Sequence, residues 1–120
     1  MKKTKSIIQT EESIKKKQCY LCVMLEDDTG VKYGLQEHHI FGGANRYLSE
    51  GYGLKVMLCA RHHGHGGDDD VHNEGRNNYM KYLHSIGQRK WVEWFMSQDK
   101  NASEEDAKKH FREIFGKNYL

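Results

Sequence analysis

The sequence predicts a single-domain α+β fold, with a small β-containing core first and helices gathered at the C-terminal end. Three observations carry that expectation. Short β-prone runs separated by turn-forming clusters fill the first half of the chain. Apolar residues at helical spacing take over beyond residue 76. Two close-spaced pairs, Cys19-x-x-Cys22 and Cys59-x-x-His62, bracket the β-prone runs.

A chain of 120 residues can bury roughly two-thirds of its unfolded surface, which suffices for one modest core. Its 37% apolar residues, together with 12 glycines, match an ordinary globular composition and exclude disorder as the default. No apolar run approaches the roughly 20 residues that span a bilayer, and the lysine-rich start is not followed by the apolar stretch of a signal peptide. The expectation is an intracellular, cytoplasmic protein with no membrane partner.

Residues 1–18 form a basic segment in which Lys2, Lys3, Lys5, Lys15, Lys16 and Lys17 stand against Glu11 and Glu12. Such a segment either neutralises phosphates, with salt-dependent affinity, or is a solvated terminus. A short helix over 6–17, with Ile7, Ile8 and Ile14 as its apolar contacts, is expected within it. In 19–40 two β-prone segments flank the turn-like Asp27-Asp28-Thr29-Gly30. "FGGANRYLSEGYG" reads as a functional loop and "LKVMLC" as a further strand. "ARHHGHGGDDDVHNEG" reads as a polar, glycine-rich segment outside any packed core.

From 76 to 120 helices are expected to pack on the core. Tyr79, Tyr82, Leu83, Ile86, Trp91, Val92, Trp94 and Phe95 mark one or two amphipathic helices over 77–96, with Gly87 as the break if there are two. Ser103 caps a last helix with Asp106 at the third position, Ala107, Phe111, Ile114 and Phe115 form its stripe, and Gly116 stops it. These aromatics are assigned to the core rather than to base stacking.

Three cysteines of uneven spacing make a poor disulfide framework, and metal binding is the better reading. Cys19, Cys22, Cys59 and His62 can close a tetrahedron of soft ligands around zinc. All four positions are then filled by protein, so this zinc is structural. The 36 residues between Cys22 and Cys59 exceed the span of a compact zinc finger and imply an insertion between the two halves of the site. Three buried free cysteines acting as small hydrophobes would leave both spacings to coincidence.

His38, His39, His63, His65 and His72 then need another explanation, and five histidines within 35 residues suggest a second metal. Here "EHHI", a loop, "GLKVMLC", "CARHH" and "VH" resemble the HNH endonucleases of the ββα-metal, or His-Me finger, group. The likeness is greatest to small phage and prophage members with a zinc knuckle, and covers about 19–75. It implies a zinc-stapled ββα-metal core. By position, His39 resembles the general base, His38 the first ligand of a catalytic divalent metal, and His63 and His72 the later ligands.

An imidazole with a pKa near 6.5 can accept a proton from the attacking water, and one divalent cation can hold the developing oxyanion. Strand alternation sends His38 and His39 to opposite faces, so neighbours in sequence can take different roles. An all-nitrogen ligand set favours Mn²⁺, Ni²⁺ or Zn²⁺ over Mg²⁺. Arg46 and Arg76 are candidate DNA-phosphate contacts or ordinary surface residues. Asp68, Asp69 and Asp70 read as a solvated acidic loop ahead of an oxygen-ligand source. Glu37 either orients a histidine or lies on the exposed strand face.

The sequence departs from the family pattern in two ways. The family asparagine before the second strand is missing, Gly53 and Leu54 standing there, and Asn45 comes too early to replace it. That puts the rigidity of the loop in question. His63 and His72 are nine residues apart rather than one helical turn, so either His65 substitutes as last ligand or the loop bulges and His72 opens the helix, which its place before Asn73 favours. The functional expectation is a metal-dependent DNA endonuclease, nicking or cutting both strands. The alternatives are a catalytically inactive zinc-stapled nucleic-acid-binding module and a structural zinc protein that binds another protein through its C-terminal helices.

Overall fold

In the computed structural model, which describes residues 4–120, the centre of the molecule is a two-stranded antiparallel hairpin of β1 (Gln36–His39) and β2 (Lys55–Leu58). The register pairs His38 with Val56 and His39 with Lys55, and Ile40 N donates to Leu54 O to extend the ladder. Such a hairpin is marginal alone. Here Ile40, Leu54, Val56 and Leu58 are fully or almost fully buried under the helices around it.

The N-terminal segment covers one edge of β2. Ile7 N donates to Gly53 O, Ser6 Oγ to Lys55 O at 2.5 Å, and Met57 N to Gln9 Oε1 at 2.8 Å. These bonds satisfy backbone groups that an open strand edge would leave unpaired. The expected helix over 6–17 therefore shrinks to α1 (Glu11–Lys15), which Thr10 caps, because Ser6 to Gln9 serve the sheet. Lys5 and Lys15–Lys17 lie on this packed segment; Lys2 and Lys3 of the basic cluster lie outside the described residues.

The segment after Cys19 corrects a second expectation. It is α2 (Tyr20–Glu26), not a strand, and it ends at Asp27 in the left-handed region. The helical turn puts Cys19 and Cys22 on one side, since residues three apart are neighbours there and alternate on a strand. Residues 31–35 form no strand either: Val31 and Tyr33 are exposed, and Lys32 N makes a single backbone bond, to Lys17 O.

The connection between the strands is half helical. A single 3₁₀ turn (Gly43–Asn45) leads into α3 (Arg46–Tyr52), which Gly53 ends in the left-handed conformation. Ser49 is buried and bridges Phe41, accepting from its N–H at 2.9 Å and donating to its carbonyl at 2.8 Å. Asn45 Nδ2 donates to Phe115 O at 2.9 Å. Those two contacts brace the segment in the absence of an asparagine before β2. Residues 60–78 are irregular, yet Val71, His62 and Asp70 are buried, so this segment contributes to the core after all.

The C-terminal part holds α4 (Tyr79–Gln98) and α5 (Glu104–Phe115), packed against each other. The capping box of Ser103 and Asp106 starts α5, and Gly116 ends it. Trp91, Phe111 and Phe115 are buried in the core with Phe41. Gly87 does not break α4; it lets the helix approach the end of β1. A Cβ there would lie 2.7 Å from Ile40 Cγ2 and 3.0 Å from Phe41 Cε2.

Gly87→Ala therefore pits two effects against each other. Helix propensity favours alanine by about 1 kcal/mol, whereas overpacking a filled core costs about 1–3 kcal/mol. The second is expected to win, and thermal melting of Gly87→Ala should show a lower Tm than the wild type.

Candidate metal centres

Two ligand-bearing turns meet beside α2. Cys19 is the N-cap residue of α2 and Cys22 lies one turn on; Cys59 follows β2 and His62 lies one turn on, with His62 N bonded to Cys59 O. His62 Nδ1 lies 3.4, 3.5 and 3.4 Å from the sulfurs of Cys19, Cys22 and Cys59, and Cys22 Sγ lies 3.7 Å from Cys59 Sγ. A tetrahedral zinc with ordinary bond lengths sets sulfur–sulfur edges of about 3.8 Å and sulfur–nitrogen edges of about 3.5 Å. All four residues are buried, and they could hold a structural zinc.

The electrostatics fit the same group. Burial pushes the Cys19 thiol up, and burial with the neighbouring thiols pushes Cys22 up to about 12. Burial also acts on Cys59, but the His62 backbone N–H, followed by hydrogen bonds from the Cys19 and Cys22 thiols, outweighs it and brings the thiol down. Burial and then Arg61 lower His62, keeping it neutral as a ligand must be. His62 Nε2 faces Glu26 Oε2 at 3.2 Å, and Arg61 bonds both Glu26 and Asp69. Glu26 was not picked out from the sequence; its signal is its position two helical turns after Cys19.

A second group lies on the inner face of β1. The rings of His38, His63 and His72 have centroids 5.1–5.6 Å apart, and one nitrogen from each lies within 4.8 Å of the others. His38 is buried, its Nε2 has no hydrogen-bond partner, and burial followed by the neighbouring imidazoles lowers its pKa to about 3. A bare, buried nitrogen is a cost unless something binds it. His63 Nδ1 lies 2.7 Å from Gln36 Oε1, which fixes the proton on Nδ1 and leaves Nε2 as a donor to a cation. Gln36 also escaped the sequence reading, although it stands two residues before His38 and so shares its strand face.

His72 belongs to this group and His65, exposed in the loop, does not. His72 does not open a helix, however; it sits in the turns before α4. Asp70 holds that turn from a buried position, accepting from Gly66 N at 2.7 Å and from His72 N at 2.9 Å. The acidic run is thus not a uniformly solvated loop, since Asp70 is a structural acceptor and Asp69 pairs with Arg61.

His39 faces the other way, as strand alternation requires. Its Nε2 lies 3.1 Å from Glu50 Oε1 and 3.8 Å from Glu37 Oε1. Lys55, its cross-strand partner, approaches Glu50 Oε2 at 2.6 Å and Glu37 Oε2 at 3.5 Å. The Lys55 hydrogen bond holds the Glu50 carboxyl down at about 2. Both faces open on one cavity of about 220 Å³, lined by Glu37, His38, His39, Arg46, His63 and His72 among others. Arg46 reaches that cavity; Arg76 does not line it and lies 3.8 Å from Asp68.

No protein-family model, curated protein or solved structure matches the chain. Among the described residues no helix is long and apolar enough to cross a membrane.

Cys22→Ser tests the first group. Purified wild type is expected to carry about one equivalent of zinc by elemental analysis, and the variant to lose both the zinc and the cooperative melting transition, because the binding energy of such a site is folding energy. A soluble variant with an unchanged melting profile would contradict the assignment.

Proposed function

We propose that this protein is a metal-dependent DNA endonuclease of the HNH, ββα-metal type, with structural zinc at Cys19, Cys22, Cys59 and His62. One divalent cation is held by His38, His63 and His72. The observation that carries this reading is the convergence of those three imidazoles, from three separate segments, on one cavity that His39 and Arg46 also line.

The chemistry asks for little more. When bound, the divalent cation supplies positive charge for the oxyanion that develops as the phosphodiester bond breaks. His39 takes the proton of the attacking water, its ring turned away from the imidazoles of the cation site by strand alternation. Arg46, exposed at the cavity, holds a phosphate oxygen of the strand being cut. Ser49 and Asn45 keep the connecting segment rigid while substrate is bound. Mn²⁺, Ni²⁺ and Zn²⁺ suit this nitrogen-rich site better than Mg²⁺.

A supercoiled-plasmid assay across these four metals tests the reading. Wild type is expected to convert supercoiled to nicked or linear DNA only with added divalent metal. His39→Ala should lower the rate by roughly 10²–10⁴-fold while zinc content and melting stay as in wild type. Nicking that ignores His39→Ala would overturn the assignment of the base. DNA retention with no turnover under any metal would replace the nuclease with the inactive binding module.

A further inference from the structure

Glu37, His39 and Glu50 form a third close group of ligand-type side chains, with one donor atom from each within 4.8 Å of the others. A cation already serves it. The Lys55 side chain, only 5% exposed, lies against Glu50 Oε2 at 2.6 Å and Glu37 Oε2 at 3.5 Å. The ammonium thus already contacts both carboxylates that would have to bind a metal and offsets one of their two charges. What the group can do instead is orient His39.

The hydrogen-bond inventory decides how. A carboxylate has acceptors only, and the close Lys55 ammonium keeps Glu50 in that form. The hydrogen between Glu50 Oε1 and His39 Nε2, 3.1 Å apart, must therefore come from the imidazole. With its proton on Nε2, a neutral His39 carries its lone pair on Nδ1, the one nitrogen left to take a proton. We propose that Glu50 is a positioning residue for the general base: it fixes His39 in the Nε2–H tautomer and presents Nδ1 as the basic atom. The proposal rests on the nuclease reading for its catalytic meaning.

Three elements build this arrangement. His39 comes from β1, Lys55 from the facing position of β2, and Glu50 from the last turn of α3. As His39 gains its second proton, the contact with Glu50 becomes a pairing of imidazolium with carboxylate, which strengthens as the water is deprotonated. Glu50 therefore favours the transition state over bound substrate and acts on kcat rather than KM.

Glu50→Gln gives a directional test. Lys55 can only donate, so the amide oxygen of the glutamine turns to Lys55 and its NH₂ group to His39 Nε2. That NH₂ now donates to Nε2, which moves the imidazole proton to Nδ1, the wrong tautomer for the reaction. Nitrogen-15 NMR of the 120-residue, zinc-loaded chain, with no second metal added and at about pH 8, above the ordinary histidine range, reads this directly. Wild-type His39 is expected as Nε2–H and Glu50→Gln as Nδ1–H.

With the second metal present, the variant should cleave plasmid with kcat lowered roughly tenfold to hundredfold and KM nearly unchanged. A wild-type His39 protonated on Nδ1, or a Glu50→Gln enzyme with wild-type kcat, would overturn the proposal. If the variant does not fold, the wild-type spectrum decides alone. If wild type cuts no DNA with any metal, the nuclease reading falls by itself, and the tautomer still decides whether Glu50 orients His39.

Discussion

Four side chains from two segments, Cys19 and Cys22 on α2 and Cys59 and His62 after β2, meet at the edge lengths of a coordination tetrahedron, and the rest of the site is built outward from them. His62 and His63 are adjacent, so the turn that brings one imidazole to the sulfurs brings the next to His38. Val71 N donates to His62 O at 2.8 Å, and the buried Val71 side chain ties the following loop to the same turn. Asp70 then holds the N–H of His72. A gap in this chain of contacts would loosen the polar, glycine-rich loop that brings His63 and His72 to His38.

β1 divides the chemistry between its faces. Gln36 and His38 share one face with His63 and His72; Glu37 and His39 share the other with Lys55 and Glu50. The connecting segment serves both faces. On α3, Arg46 and Glu50 are four residues apart and so lie on one side of the helix, the first at the cavity and the second on His39. Gly87 lets α4 press against Ile40 and Phe41 immediately after these residues, which anchors the end of β1 in the core.

Much of this was legible because the ligand types are rare and their spacing is physical. Cys-x-x-Cys and Cys-x-x-His each fit one turn, and the paired histidines at a strand end point to two faces. The last helix was legible from its cap, its stripe and its stop. The segment after Cys19 was not, since its tyrosine and valine favour strands while the demand that Cys19 and Cys22 face one centre is tertiary. The packed N-terminal segment was hidden for a similar reason: Ser6 and Gln9 matter through bonds to β2 about 50 residues away. Glu26, Gln36 and Glu50 are common polar residues, and only proximity to a histidine gives them a role.

The central claim is that His38, His63 and His72 hold one cation next to His39. Anomalous diffraction from crystals of the zinc-loaded protein soaked in Mn²⁺ tests it most directly. The account predicts a zinc peak among Cys19, Cys22, Cys59 and His62, and a separate manganese peak about 2.1 Å from one nitrogen of each of the three imidazoles. A manganese peak elsewhere, or none with the three rings unmoved, would contradict it.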